Sequence, residues 1–289
     1  MSTPQDHASR AFVIGWPISH SRSPLIHNYW LKTLGLSGSY ERIAVRPEAL
    51  AEFLTTFPHQ GFIGGNVTLP HKEMAYGFCA QTTAGAQRLQ AVNTLWMDAG
   101  KLCGDNTDIA GFLASLDEDA PNWADRCEKV VVIGAGGAAR AIVYALMMRC
   151  HPQITLINRS RSRGQNLIEL VHGIDPDQRI ELHDFSALPR CLERADLVVN
   201  TTSLGMANQP PLAIDLAPLP DHAVVADIVY VPLETELLRA ARARGLATSG
   251  GLGMLLHQAV PGFERWFGQR PMVTSELRAL IARDISGAG

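Results

Sequence analysis

The stretch Lys129-Val130-Val131-Val132-Ile133-Gly134-Ala135-Gly136-Gly137-Ala138-Ala139-Arg140 decides how the chain is read. Its first five residues have the pattern of a buried strand, four of them β-branched. Gly134 to Ala139 then fits G-x-G-x-x-(G/A). The first glycine allows a tight turn, and the second lets backbone approach a pyrophosphate. The small Ala139 permits close helix–strand contact, and the helix N-terminus favours negative charge. A plain glycine turn is the alternative, but the helical run Ala138–Met148 that follows supplies the context a dinucleotide site demands.

Beyond this stretch, Ile154–Asn158, Ile180–His183, Leu197–Asn200 and Val224–Asp227 read as short strands, with helical runs over Ser162–His172 and Glu234–Arg244. Near-continuous apolar strands joined by helices indicate a parallel sheet covered on both faces. Before it, strands are expected at Arg10–Ile14, Tyr40–Val45 and Phe62–Thr68, and helices at Pro24–Leu34 and Pro47–Phe57. Pro70 is placed to open a further helix. Thr94–Met97 and Lys101–Cys103 form a hairpin around Asp98-Ala99-Gly100, and the polar Asp117–Arg126 reads as a surface stretch. The fold class is therefore α/β with two domains, the second a Rossmann-like doubly wound sheet. At 289 residues the chain exceeds the roughly 100–200 of a typical single domain, in keeping with this division.

Composition removes several functions. A net charge of −3 and a pI near 6.4 provide no basic field for nucleic acid. The apolar region Val130–Met148 is interrupted by glycines and Arg140, which suits a glycine turn and not a membrane span. The opening decapeptide MSTPQDHASR lacks the apolar stretch of a secretory signal, so a cytoplasmic protein is expected. Five cysteines without a C-x-x-C pair read as thiols, and no metal site is expected.

The strand after the glycine turn ends in Asn158-Arg159-Ser160-Arg161-Ser162-Arg163, where an NAD site usually carries an acid. Arginines there suit a 2′-phosphate, so NADP is the expected cofactor; a solvated arginine loop is the alternative. Ser19-His20-Ser21-Arg22-Ser23-Pro24 carries a natural helix cap in Ser23, and two hydroxyls at a helix start also suit a carboxylate. In Asn66-Val67-Thr68-Leu69-Pro70-His71-Lys72, Lys72 taken alone reads as an ordinary solvated helix lysine just inside the following helix. Asp108, ending Gly104-Asp105-Asn106-Thr107-Asp108, reads as a cap of the helix running to Leu116.

These segments resemble the shikimate dehydrogenase family, shared with quinate dehydrogenases, in the same order along the chain. The set also includes Ala91-Val92-Asn93-Thr94, Asn200-Thr201-Thr202-Ser203-Leu204-Gly205-Met206, Asp227-Ile228-Val229-Tyr230 and Gly251-Leu252-Gly253-Met254-Leu255-Leu256-His257-Gln258. The resemblance implies reversible reduction of 3-dehydroshikimate to shikimate with NADPH, on the route to chorismate and aromatic amino acids. It makes Lys72 and Asp108 the catalytic pair. Ser21 and Ser23 would take the substrate carboxylate, and Thr68, Asn93 and Gln258 the ring hydroxyls, with Tyr230 nearby. Cofactor would be held by Gly134, Gly136, Gly137, Ala138 and Ala139, by Asn158, Arg159, Ser160 and Arg163, and by Thr201. Met206, Ile228 and Gly251 would line its nicotinamide side.

The implied organisation is a substrate-binding and catalytic domain over 1–108, an NADP-binding domain over 109–250, and C-terminal helices over 251–289 returning to the first domain. The partner is a small molecule, and the assembly a monomer or homodimer. Two positions depart from the family pattern. Ile109 stands where glycine usually follows the aspartate, and Thr235-Glu236 replaces a threonine–proline pair. The rival readings are a quinate/shikimate dehydrogenase using NAD(P) and a non-catalytic sensor of nucleotide and metabolite.

Overall fold

A computed structural model describes residues 9–287, so all but the last two residues of the opening decapeptide lie outside the described residues. Its strands, in chain order, are β1 (Ser9–Gly15), β2 (Gly38–Ala44), β3 (Phe62–Val67), β4 (Gln81–Thr82), β5 (Thr94–Asp98) and β6 (Lys101–Asp105). They continue with β7 (Lys129–Ile133), β8 (Gln153–Ile157), β9 (Ile180–His183), β10 (Leu197–Asn200), β11 (Val224–Asp227) and β12 (Ala247–Gly250). The helices are α1 (Ser23–Thr33), α2 (Leu50–Thr56), α3 (Lys72–Phe78), α4 (Ala84–Leu89), α5 (Asp108–Asp119) and α6 (Gly137–Arg149). After them come α7 (Arg161–Val171), α8 (Leu188–Leu192), α9 (Glu236–Ala243), α10 (Gly251–His257), α11 (Ala259–Phe267) and α12 (Ser275–Ile285). No helix among the described residues is long and apolar enough to cross a membrane.

Two compact units result. The first takes the chain up to Thr107 together with Ala259–Ile281, and the second holds Asp108–Gln258 and the chain from Ala282 onward. The first contains a six-stranded sheet in the order β2-β1-β3-β5-β6-β4. Strand β1 runs parallel to β2 and β3, whereas β3, β5 and β6 are antiparallel neighbours, so this sheet is mixed. The antiparallel part is the expected hairpin: Ala99 and Gly100 both have positive φ, at 47° and 76°, as a two-residue turn matched to strand twist requires.

On one face of this sheet Phe12 meets Phe53, Phe57 and Phe62 edge to face at 5.1–5.3 Å. A Cβ at Gly65 would stand 2.3 Å from the Phe12 ring, so only glycine fits beside it. On the other face His27 is sandwiched nearly parallel between Tyr40, at 4.0 Å, and Phe263, at 5.9 Å. Neither of its ring nitrogens makes a hydrogen bond among the described residues. Burial pushes its pKa down to about 3, and the nearby Asn66 side chain offsets only part of that effect.

The unfolded chain therefore binds a proton at His27 that the folded protein refuses. Stability from this group is whole above the unfolded pKa of 6.5 and falls as pH drops toward 3. The slope is up to about 1.4 kcal/mol per pH unit. Urea unfolding of wild type and His27→Phe between those limits is expected to show a shallower acid slope in the variant. Equal slopes would show that His27 contributes nothing to acid sensitivity.

The second unit carries a fully parallel sheet in the order β12-β11-β10-β7-β8-β9. Counted within the unit this is 6-5-4-1-2-3, the doubly wound order, with its switch point between β7 and β10. Separate apolar clusters cover its faces. One gathers Ile142, Leu146, Val130 and Val132, the other Val131, Val198, Val225 and Leu237.

Several elements differ from the sequence reading. Thr68 to His71 forms a turn, closed by the His71 amide on the Thr68 carbonyl at 3.0 Å, so the helix opens at Lys72 and not at Pro70. Asp117–Arg126 is not simply surface. Helix α5 runs to Asp119, and Trp123, 6% exposed, anchors a 3₁₀ turn with its indole N–H on Asp117 at 2.9 Å. The return to the first unit begins at Ala259 and not at Gly251. Helix α10 stays in the second unit because α5 offers it glycine-lined contact: a Cβ on Gly111 would lie 2.6 Å from that of Gln258.

Candidate active site

In the first unit, one end of the sheet collects the polar segments. The carboxyl ends of β1 and β3 lie together, and a Cβ on Gly15 would stand 2.6 Å from Thr68. The loop from Trp16 to Arg22 is pinned there by the Trp16 amide on Leu69 O (3.1 Å), the Ser21 amide on Ile18 O (3.0 Å) and Arg42 on Ser19 O (2.8 Å). Antiparallel β5 starts at the same end, with Thr94 opposite Asn66 and Asp105. The end thus brings together Ser21, Ser23, Thr68, Lys72 and Asn93. Strand carboxyl ends are where open α/β sheets bind ligands.

Ser23 is not the helix cap. It is the first residue of α1, 7% exposed, and Ser21 Oγ accepts its amide at 3.3 Å. The short Ser21 side chain turns onto the backbone two residues on, so the Ser23 amide at the helix start has an acceptor. Lys72 opens α3 and is half-buried, and its carbonyl takes the Val92 amide at 3.0 Å. Asn93 is 3% exposed, with its side-chain oxygen receiving the Thr107 amide at 2.8 Å.

In the second unit Asp108 is the first residue of α5 and half-buried. Ile109 continues the helix and packs on the apolar cluster under it, so the branched residue does not disturb the turn. Gln258 abuts Gly111, one turn along α5 from Asp108, and donates to Leu255 O at 3.0 Å.

The glycine turn sits at the switch point. Gly134 has φ +107°, and a Cβ there would stand 2.7 Å from the Thr201 hydroxyl. Thr201 is buried, donating to Ile133 O at 2.8 Å, so it ties β10 to β7. Among the described residues, a Cβ at Gly136 or Gly137 would meet nothing within 4 Å, and no side chain caps the start of α6. Ala138 is half-buried there and Ala139 fully buried. The uncapped amides with open space before them fit a pyrophosphate.

At the end of β8, Asn158 donates to Ser160 O at 2.7 Å, and Ser160 caps α7 by accepting the Arg163 amide at 3.3 Å. Arg159, Arg161 and Arg163 are exposed and, among the described residues, no carboxylate pairs with them. This donor set fits the 2′-phosphate of NADP. Met206 is 42% exposed, and Ile228 and Tyr230 are half-buried after β11. A Cβ at Gly251 would stand 2.2 Å from Ile228 O, so glycine is required for that close approach.

Two polar groups have roles that the sequence reading missed. Asp227, 2% exposed, accepts from Asn200 (2.9 Å), Thr235 (2.7 Å) and the Val229 amide (3.1 Å), and burial is the main cause of its raised pKa. It ties the ends of β10 and β11 to the start of α9, which Thr235 caps. Asn66 links β3 to Asn93 and Thr94. A polar residue inside an apolar strand is the signal that marks both.

Comparison with known proteins gives consistent matches. Residues 13–95 match the shikimate dehydrogenase substrate binding domain, 119–210 the shikimate / quinate 5-dehydrogenase family, and 251–273 the shikimate 5'-dehydrogenase C-terminal domain. A shikimate dehydrogenase (NADP(+)) of Methylocella silvestris is 58% identical over 281 residues, covering 97% of this chain and 98% of that protein. A quinate dehydrogenase from Corynebacterium glutamicum, in complex with NAD, superposes with a TM-score of 0.88 at 33% identity over 95% of this chain and 98% of that one. A shikimate 5-dehydrogenase from Thermus thermophilus, in complex with NADP(H) and shikimate, gives 0.81 at 33% identity over 96% and 99%.

Proposed function

The chain belongs to the shikimate dehydrogenase family, and from that premise we propose how its residues do the family's work. It is an NADP-dependent oxidoreductase acting on shikimate, of the kind that serves aromatic amino acid synthesis. The observation that carries the residue assignments is their placement: the polar segments fall at strand carboxyl ends in each unit, and the cofactor segments flank a switch point.

When bound, NADPH supplies the hydride for the carbonyl carbon of 3-dehydroshikimate. Gly134, Gly136, Gly137, Ala138 and Ala139 give it a backbone cradle at the start of α6. Arg159 and Arg163 take its 2′-phosphate on a loop shaped by Asn158 and Ser160, and Thr201 holds the floor of the turn. Met206, Ile228 and Gly251 form the nicotinamide side.

In the first unit Ser21 uses a lone pair for the Ser23 amide, which leaves its hydroxyl hydrogen for the substrate carboxylate. Ser23 supplies a second hydroxyl. Thr68, Asn93 and Gln258 meet ring hydroxyls, with Tyr230 nearby. Lys72 donates a proton to the oxygen that gains charge as the carbonyl is reduced, and its cation stabilises that charge. Asp108 orients the hydroxyl at the reacting carbon and takes part in its proton transfer. The substrate-binding role thus belongs to the segment 1–108 and the cofactor role to 109–250. The segment 251–289 contributes to both. We assign the protein to the cytoplasm, where the nicotinamide pool lies, as a monomer or homodimer; its net charge of −3 supports the absence of a nucleic-acid partner.

The test is a kinetic matrix of shikimate and quinate, each with NADP and NAD. The largest kcat/KM is expected for shikimate with NADP. A larger value for quinate with NAD would move the chain to the quinate branch, and no turnover in any cell would support the sensor reading.

A further inference from the structure

Behind Asn93 lies a buried polar chain that the reaction scheme does not use. The Thr107 backbone amide donates to Asn93 Oδ1 at 2.8 Å. A backbone N–H only donates, so this bond fixes which end of the Asn93 carboxamide is oxygen. Two hydroxyls join it on the same oxygen, Thr94 Oγ1 at 3.0 Å and Thr107 Oγ1 at 3.1 Å.

The direction of the Thr94 bond is set one step further back. Asn66 Nδ2 donates to the Asn93 carbonyl at 3.0 Å and to Thr94 Oγ1 at 3.1 Å. The carbonyl only accepts, so Asn66 is oriented too, and its Oδ1 accepts from the Tyr40 hydroxyl at 2.6 Å. Thr94 accepts from Asn66 on a lone pair and keeps its single hydrogen for Asn93 Oδ1 or for Thr107 Oγ1, 3.1 Å away. Asn66, Asn93, Thr94 and Thr107 are each no more than 5% exposed. Water therefore does not compete for these bonds, and reversing one of them leaves a buried donor or acceptor unmatched.

We propose that Asn66, Thr94 and Thr107 are positioning residues that hold the Asn93 carboxamide oxygen-inward, so that Asn93 meets substrate only as an N–H donor. The substrate oxygen at Asn93 is then read as an acceptor, and its own hydrogen is directed to another partner. None of the three touches substrate; they act through Asn93. This inference rests on the assignment of Asn93 to a ring hydroxyl.

The test compares Thr94→Val, which keeps β-branched shape and strand preference, with Thr94→Ser, which keeps the hydroxyl. Steady-state constants for shikimate and NADP are measured with thermal melting. Thr94→Val is expected to raise KM for shikimate about tenfold, the effect of one buried hydrogen bond, with smaller change in kcat and none in KM for NADP. Thr94→Ser is expected to restore KM. Asn66→Asp, which sets an acceptor against the Asn93 carbonyl and draws the Thr94 hydrogen away from Asn93 Oδ1, provides the same readout by a second route should Thr94→Val not fold. Wild-type KM in both variants would overturn the proposal, as would equal loss of kcat, cofactor affinity and melting temperature with no rescue by serine. Failure of the wild-type protein to turn over shikimate would instead overturn the functional reading, which keeps the two outcomes apart.

Discussion

Lys72→Ala is expected to lower kcat for 3-dehydroshikimate reduction by about 10²- to 10⁴-fold, the range for loss of a positioned proton donor. The fold should survive. Lys72 is half-buried at the first position of α3, and its ordered main-chain contact, the Val92 amide on its carbonyl at 3.0 Å, is one alanine retains. Substrate binding measured by calorimetry should change far less than turnover, because the proposed assignment gives the carboxylate and ring hydroxyls to serine and asparagine donors. Lys72→Arg should recover only part of the rate, since a guanidinium does not give up its proton. Full turnover in Lys72→Ala would remove this lysine from the chemistry.

The second large effect concerns cofactor choice. Replacing Arg159 and Arg163 together by alanine is expected to lower kcat/KM for NADP by about 10²-fold or more, two charge-assisted contacts being lost. The value for NAD should stay near its starting level, because both arginines are exposed and pair with no carboxylate among the described residues. The selectivity ratio is therefore the quantity to measure. High salt should weaken NADP binding in the wild-type protein more than in the double variant. An equal fall for both cofactors would mean that these arginines shape the loop and do not read the phosphate.

Much of this is legible in the sequence, for a physical reason that varies along the chain. Strands β7, β10 and β11 lie where their apolar runs place them, because both faces of a central parallel strand are covered. Strand β12, Ala-Thr-Ser-Gly, offers no such run. It is a strand because β11 pairs with it, Val224 opposite Ala247, and because Ser249 has Asp119 to bond at 2.8 Å. The two-residue β4 is shorter than any periodicity can register.

The candidate site divides in the same way. The glycine turn and the arginine loop are contiguous in sequence, and local chemistry suffices to read them. Ser21 and Ser23 were visible as a pair, but their division of labour was not. Which of them caps depends on a backbone geometry that two serines in one turn leave undetermined. The orientation of Asn93 depends on Asn66, 27 residues earlier, and on Thr107, 14 later. Nothing in either local segment announces that bond. The Thr235-Glu236 variation also gains a meaning: the threonine retained there both caps α9 and supports Asp227.

The first unit is assembled from two distant pieces of chain, and this has a consequence in time. The Trp30 indole N–H waits for the Met272 carbonyl, 242 residues later, and the Trp266 indole closes on Leu95 O across 171. At roughly 5–20 residues per second of synthesis, a ribosome needs about 12–50 s to deliver Met272 after Trp30. Until α11 is made the face of β1 and β3 that it will cover stays open, whereas the parallel sheet of the second unit has all its strands once Gly250 is made. The order of completion during birth is thus the reverse of the order in the gene: the middle can close before the beginning. A chain halted before α11 would carry a finished nucleotide fold on an unfinished sheet, with Tyr40 and His27 uncovered, and such a fragment is a natural client for chaperones.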